Sequence, residues 1–264
     1  FGLVRNLEPM MIEKGDENRF LNRAIEQVSF VNGIWGVPVE NVAIALVFYN
    51  KEIFDDLDIA VPRTWDELLS TVDTLNAAGI IPFALANRSA WPSSMYYMYL
   101  VDRLSGPEAF SGALAREAAR GFDSQPFIKG WSLMQELINR DAFPDETNIL
   151  DVDIGDSKQM LYDGRAAMEL MGSWLVADIG VEHPEFLDRV DFFEFPVLVD
   201  GLGDQRNLVG TVGDQFYSVA SSSEHPEAAY RMIRHLIDDV AVKQRTEALL
   251  IPPLKGVTPS HPLL

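Results

Sequence analysis

Apolar positions along the chain follow two periods. A helical spacing recurs at Phe20, Leu21, Ala24, Ile25 and Val28, at Trp65, Leu68, Val72 and Leu75, at Phe127, Trp131, Met134, Leu137 and Ile138, and at Ala229, Met232, Ile233 and Leu236. Each stripe predicts an amphipathic helix that buries one face. Between them lie short apolar runs, Ala43–Tyr49, Ile80–Ala86, Ala166–Met171 and Phe192–Phe195. Their β-branched and aromatic content predicts buried strands. Ile34–Val39 and Gln215–Ala220 read as two further strands, and residues 92–104, 107–120 and 156–162 as helices. Helices alternating with short strands define an α/β fold.

The clearest boundary is Pro62-Arg63-Thr64-Trp65-Asp66-Glu67. Thr64 can accept from the Glu67 N–H while the Glu67 carboxylate reaches back to Thr64, a capping box. Gly79 is placed to close that helix. A second arrangement occurs twice. Ala166–Met171 breaks at Gly172-Ser173 and delivers Trp174 to the start of an apolar helical segment. Ile80–Ala86 runs into Asn87-Arg88-Ser89-Ala90 and delivers Trp91, with Pro92 in the first helical turn. The carboxyl ends of strands are where open α/β sheets bind ligands. One such ring alone reads as core; two in the same setting point to a ligand platform. Trp65 and Trp131 lie within helical stripes and are expected in the core, whereas the spacing around Trp35 does not decide its role.

Composition narrows the chemistry. The chain has 264 residues, 47% of them hydrophobic, enough for one large domain or two lobes. Its formal charge of −19 disfavours nucleic acid and anionic membranes, which need a cationic footprint. With no cysteine, thiolate catalysis, disulfides and cysteine-held metals are excluded. The longest apolar run, Val42–Tyr49, is too short to span a bilayer. Residues 1–20 carry no basic-then-apolar leader pattern, so a targeting segment would lie outside this sequence. Nucleophile-elbow, phosphate-loop and dinucleotide motifs are missing, the four histidines have no ligand spacing, and Asp151–Asp156 reads as a solvated turn. No cofactor is implied.

What remains is a set of polar and aromatic residues near predicted strand ends: Glu40 with Asn41, Asn87 with Trp91, Trp174, and Asp214 beside Gln215. Flat rings cover the apolar faces of a sugar while carboxylates and amides hold its hydroxyls. Binding without turnover needs no perturbed general acid, so the missing motifs favour a receptor over an enzyme. A receptor for another small solute is one alternative. A glycoside-processing enzyme is the other, and it would require a carboxylate pair that no spacing singles out.

Four blocks then carry a family resemblance: GIWGVP with VFYNKEIF (33–38 and 47–54), PRTWDELL (62–69), GRAAMELMGSW (164–174) and SVASSSEHPEAAYRMIRHL (218–236). In this order they resemble the extracytoplasmic solute-binding proteins of bacterial ATP-binding-cassette sugar importers, the family that includes maltose-binding protein. The resemblance implies a two-lobed periplasmic-binding-protein type II fold that closes about a hinge. It places residues 1–41 in the N-terminal lobe, 42–212 in the C-terminal lobe and 213–264 in a return to the first. The crossings fall near Glu40–Ala43 and Gly210–Gln215. Members are usually much longer, which implies a fragment with an incomplete first lobe. Trp174 corresponds to an aromatic sugar platform and Glu40 to a hydroxyl-binding acid near the hinge; Trp91 and Asp214 match less closely. The resemblance further implies a non-enzymatic, monomeric receptor for a sugar or oligosaccharide. It would serve membrane permease subunits from the periplasm or, lipid-anchored, from the cell surface.

Overall fold

A computed structural model describes residues 2–117, 119–212, 215–259 and 261–264. In chain order the elements are α1 (Glu8–Lys14), α2 (Asn22–Val28), β1 (Val37–Pro38), β2 (Val42–Asn50), α3 (Lys51–Asp56), α4 (Trp65–Ala77), β3 (Ile81–Phe83) and α5 (Trp91–Ser105). There follow α6 (Glu108–Leu114), α7 (Gln125–Asn139), α8 (Asp156–Tyr162), β4 (Ala166–Gly172), α9 (Leu175–Glu182), β5 (Val190–Phe193), β6 (Gly210–Val212), β7 (Phe216–Tyr217), α10 (Pro226–His235) and α11 (Asp239–Glu247). The chain divides into two compact units, one of Phe1–Ile44, Ser173–Glu182 and Gly210–Leu264, the other of Ala45–Gly172 and His183–Val209. The sequence-based boundaries at 42 and 212 each lie three residues from the ends of the second unit, Ala45 and Val209. Ser173–Glu182, expected with the second lobe, groups with the first unit.

The second unit is built on four strands in the order β3-β4-β2-β5. β2 pairs antiparallel with β4 (Val47 opposite Leu170) and with β5 (Val47 opposite Phe193), while β3 runs parallel to β4 (Phe83 opposite Met168). All seven residues of β4 are buried. That burial accounts for its mostly apolar run, since a strand covered on both faces has no polar side; Glu169, buried with the rest, is the one charged residue in it. Helix α4 starts as its sequence predicts. Thr64 Oγ1 accepts from Glu67 N at 3.2 Å and Glu67 Oε2 accepts from Thr64 N at 3.1 Å. Gly79, at φ +74°, ends it. Thr64→Ala is expected to cost about 1 kcal/mol, read as a shift in the urea midpoint. Backbone donation from Arg63 N, at 2.6 Å, and from Thr64 N holds the Glu67 carboxyl below the usual glutamate range. The capping contribution is therefore retained at neutral pH and lost as pH falls through that lowered titration.

Helix α5 is enclosed in this unit, and its buried end is tied to the loop Asp200–Asn207. The Arg103 side chain is fully buried, 0% exposed. Its Nη1 donates to Asn207 O at 2.8 Å and its Nη2 to Phe195 O at 3.1 Å, while the guanidinium lies 5.1 Å from the centre of the Tyr99 ring. In return the loop caps the helix: Gly203 N donates to Arg103 O at 3.1 Å and Leu202 N to Leu104 O at 3.2 Å. Gln205 bridges the same region, its Nε2 donating to Arg103 O and its Oε1 accepting from Leu198 N. Burial pushes the Tyr99 hydroxyl up to about 12 and draws Arg103 down. It also raises the Asp102 carboxyl, so desolvation outweighs the attraction between these neighbours.

Expectations for the helical stripes fail at three positions, Trp131, Met232 and Ile138, the last 48% exposed at the end of α7. Trp131 is 60% exposed. The buried face of α7 runs instead through Phe127, Gly130, Met134 and Leu137. At Gly130 a Cβ would lie 3.0 Å from Val101 Cγ2 and 3.2 Å from the Tyr97 ring. Backbone and α5 thus meet where a side chain was expected, and Trp131 turns outward to lie on Tyr97, ring centres 4.5 Å apart. Met232 is likewise 70% exposed, because α10 buries Tyr230 and Ile233.

In the first unit β1 pairs antiparallel with β7, and the first three residues of β2 pair antiparallel with β6. Leu7, Met11, Phe20, Val28, Val37, Val219, Tyr230, Ile233 and Leu254 belong to one core. Inside it Asp16 is buried, its Oδ2 accepting from Tyr230 Oη at 2.9 Å and from Arg234 Nε at 2.7 Å. That arrangement satisfies one carboxylate oxygen and joins α10 to the turn after α1, while among the described residues Oδ1 has only the Arg19 guanidinium nearby, at 3.5 Å. Trp35, undecided from sequence, is half-buried, stacks on Phe30 at 5.7 Å and donates from Nε1 to Phe30 O.

Candidate ligand-binding site

The start of β2 organises the candidate residues of the first unit. Beyond the β4 pairing, Ser173 N donates to Ile44 O at 2.8 Å, which extends the ladder by one residue. Ser173 Oγ donates to Val42 O at 3.0 Å and accepts from Ile44 N at 3.4 Å. Trp174 comes next, and α9 begins at Leu175 with Leu175, Val176 and Ile179 buried. The ring of Trp174 is therefore delivered, half-buried, from a backbone fastened to Val42 and Ile44. Glu40 and Asn41 lie immediately before that strand. On its other edge Gly210 stands opposite Ile44.

Glu40 is half-buried, and none of the described residues engages its carboxylate. Asn41 is different: it is 4% exposed, and its Oδ1 accepts from Ile251 N at 2.8 Å while Val42 N donates to Ile251 O at 2.7 Å. This amide is turned inward as a stitch between β2 and the C-terminal segment, where a ligand has no access to it. Asp214 lies outside the described residues.

In the second unit the loop after β3 brings Asn87 and Trp91 together. Asn87 N donates to Thr147 O at 2.8 Å, and Ala90 N returns to Asn87 O at 2.9 Å. Asn87 Oδ1 accepts from Ser93 N at 3.1 Å, filling one of the open donors at the start of α5. Among the described residues its Nδ2 has no partner. Trp91 opens α5 and is exposed. In sequence Ser173 reads only as part of the Gly172-Ser173 break, and its bonds to Val42 and Ile44 are not visible there. Its local signal is a small hydroxyl residue between a strand-ending glycine and a tryptophan.

Two α/β units, passed between at residues 44–45, 172–173, 182–183 and 209–210, define a fold with solved counterparts. A chain from work on xylan utilization by the thermophilic bacterium Caldanaerobius polysaccharolyticus superposes with a TM-score of 0.89 at 25% identity, over 99% of this chain and 66% of that one. A chitin oligosaccharide binding protein gives 0.86 at 24% identity, over 99% and 65%. A solute-binding protein in complex with raffinose gives 0.80 at 22%, over 98% and 65%. The fold is that of the type II periplasmic-binding proteins.

Residues 7–243 match the family described as bacterial extracellular solute-binding protein, and the chain belongs to that family. Among curated relatives, the multiple sugar-binding protein of Streptococcus mutans is 24% identical over 232 residues, 86% of this chain and 52% of its own length. The xylose/arabinose-binding protein of Haloferax volcanii is 21% identical over 212 residues, 79% and 42%. The chain thus spans about half the length of the curated relatives it matches. These proteins bind solutes; their names describe no catalysis.

Proposed function

We propose that this chain is the sugar-binding part of an extracytoplasmic receptor that hands a mono- or oligosaccharide to the permease of an ATP-binding-cassette importer. The observation that carries the reading is Trp174. It follows a fully buried strand, is fastened through Ser173 to β2, and lies in a chain with curated relatives named for multiple sugars and for xylose and arabinose. In this reading the Trp174 ring covers an apolar sugar face and Glu40 accepts from sugar hydroxyls. Trp91 and the Asn87 Nδ2 group are retained as further candidate sugar contacts, and Asp214 as a hydroxyl acceptor. Asn41 is assigned the supporting role that its buried bond to Ile251 describes. The two compact units are the proposed lobes, the molecule acts as a monomer, and it works outside the cytoplasmic membrane, free in the periplasm or held by a lipid anchor.

The test is calorimetric titration with a panel of mono- and oligosaccharides, run beside an assay for released reducing sugar. Binding without turnover is the expected result. Sugar release that is lost on changing one carboxylate would replace the receptor with a glycoside-processing enzyme. Trp174→Ala is expected to weaken the best-bound sugar by about 1–3 kcal/mol, or roughly 5- to 150-fold, with the fold retained by circular dichroism. Unchanged affinity in that variant would remove the platform.

A further inference from the structure

We propose that Ser173 is the positioning residue of the Trp174 platform. This inference rests on the sugar-receptor reading above and concerns the same ring. Ser173 is 6% exposed, and each of its polar atoms is committed. Its N–H donates to Ile44 O, its Oγ donates to Val42 O and accepts from Ile44 N, and its carbonyl oxygen accepts from Val176 N at 3.2 Å.

The direction of the hydroxyl is the informative part. Trp174 holds the N-cap place before α9, so Ser173 stands one residue outside it and its oxygen is not needed by the open N–H groups of the first turn. The hydroxyl faces the strand instead, and only the backbone carbonyl serves α9. The side chain thus fastens the turn to Val42 and Ile44. Trp174 is the one residue between this point and α9, whose Asp178 N donates to Trp174 O at 3.1 Å. Backbone restraint on both sides fixes the direction in which the side chain leaves the main chain, so a sugar that stacks on the ring does not also have to order the turn that carries it. Removing the hydroxyl frees the turn and strips Val42 O of a buried donor, while the ring itself stays.

The test joins a measurement on the ring alone with a measurement of binding. With 5-fluorotryptophan incorporated, the Trp174 resonance is assigned by its loss in Trp174→Phe. Ser173→Ala is expected to shift and broaden that line without affecting the other four, and Ser173→Thr to restore it. An unchanged Trp174 line in Ser173→Ala overturns the proposal, whether or not a sugar is known. If Ser173→Ala does not fold, Ser173→Cys, with its weaker donor, takes its place under the same criteria.

The binding arm uses raffinose, a xylo-oligosaccharide and a chito-oligosaccharide as probes. For any that binds, Ser173→Ala is expected to weaken affinity about five- to tenfold. In a Trp174→Ala background the same change is expected to add less than about twofold, because the two residues act as one unit. A full, additive loss in that background would show that Ser173 acts independently of the ring, and would overturn the proposal. If Trp174→Ala itself leaves affinity unchanged, it is the platform reading that fails, and the fluorine spectrum still decides the role of Ser173.

Discussion

Replacing Arg103 with leucine is expected to remove about 3–5 kcal/mol of folding stability, the usual consequence of deleting one member of a buried charged network. The substitution leaves the carbonyl oxygens of Phe195 and Asn207 without their donor, at about 1–3 kcal/mol for each buried group. It also leaves Asp102 without its cation, with Asn207 Nδ2 at 3.2 Å as its remaining donor. Arg103→Lys tests the geometry separately. An ammonium keeps the charge but lacks the planar fork that reaches both carbonyls, so an intermediate loss is expected. The pH dependence carries a sign as well. Burial already raises the Asp102 carboxyl in the folded state, and loss of Arg103 raises it further. A carboxyl that holds its proton more tightly when folded stabilises the protein as pH falls. The deficit of Arg103→Leu should therefore narrow on acidification through that raised titration. Urea unfolding at pH 7 and pH 5 measures both effects, and a pH 7 midpoint equal to that of the parent would show that the clamp carries no stability.

Arg103 also shows where sequence reading stops. Helix α4, β4 and the strand-then-tryptophan pattern at Trp91 and Trp174 were legible because their signals are local. A capping box spans four residues, and a buried strand shows as a short apolar run, broken in β4 by Glu169 alone. The clamp on α5 joins residues about a hundred positions apart, and in sequence Asp102-Arg103 looks like a polar pair on an exposed helical face. The Gly/Asp-rich stretch after Asp200 read as a loop, which it is. Its work as the cap of α5 depends on contacts with Arg103 and Leu104 that no local pattern records. Trp131 failed for a related reason: Gly130 sets the approach of α7 to α5, and the closeness of two helices is a tertiary fact. At the candidate site the same limit separates Asn41 from Glu40. They are neighbours in sequence, yet Ile251, 210 residues away, claims the amide of the first and leaves the second untouched.

Gly210→Ala is expected to be the most damaging single-methyl addition in the first unit. Built on Gly210, a Cβ would fall into the carbonyl oxygen of Ala43 and lie 3.0 Å from Ile44 Cα and 3.1 Å from Ala43 C. All three atoms are backbone, and the strand that carries them is held on its other edge by Ser173 and Ile251, so it cannot move aside. The ladder between β2 and β6 would have to open, losing the Ile44–Gly210 and Ala43–Thr211 pairings. Overpacking into backbone in this way costs about 3 kcal/mol or more. In a chain of this length that corresponds to a fall of roughly 6–12 °C in the melting temperature. Gly79→Ala is the control. That glycine sits at φ +74° with open space around the missing Cβ, so backbone strain alone, about 1 kcal/mol, is expected. Because Val42 and Ile44 also hold Ser173, opening the ladder at Gly210 should disturb the Trp174 fluorine resonance, whereas Gly79→Ala should leave it in place. If Gly210→Ala melts no lower than Gly79→Ala, the close approach of β6 to β2 is not what requires glycine there. If it melts lower but the Trp174 resonance is unmoved, the strand start and the ring are uncoupled, and β2 does not set the platform.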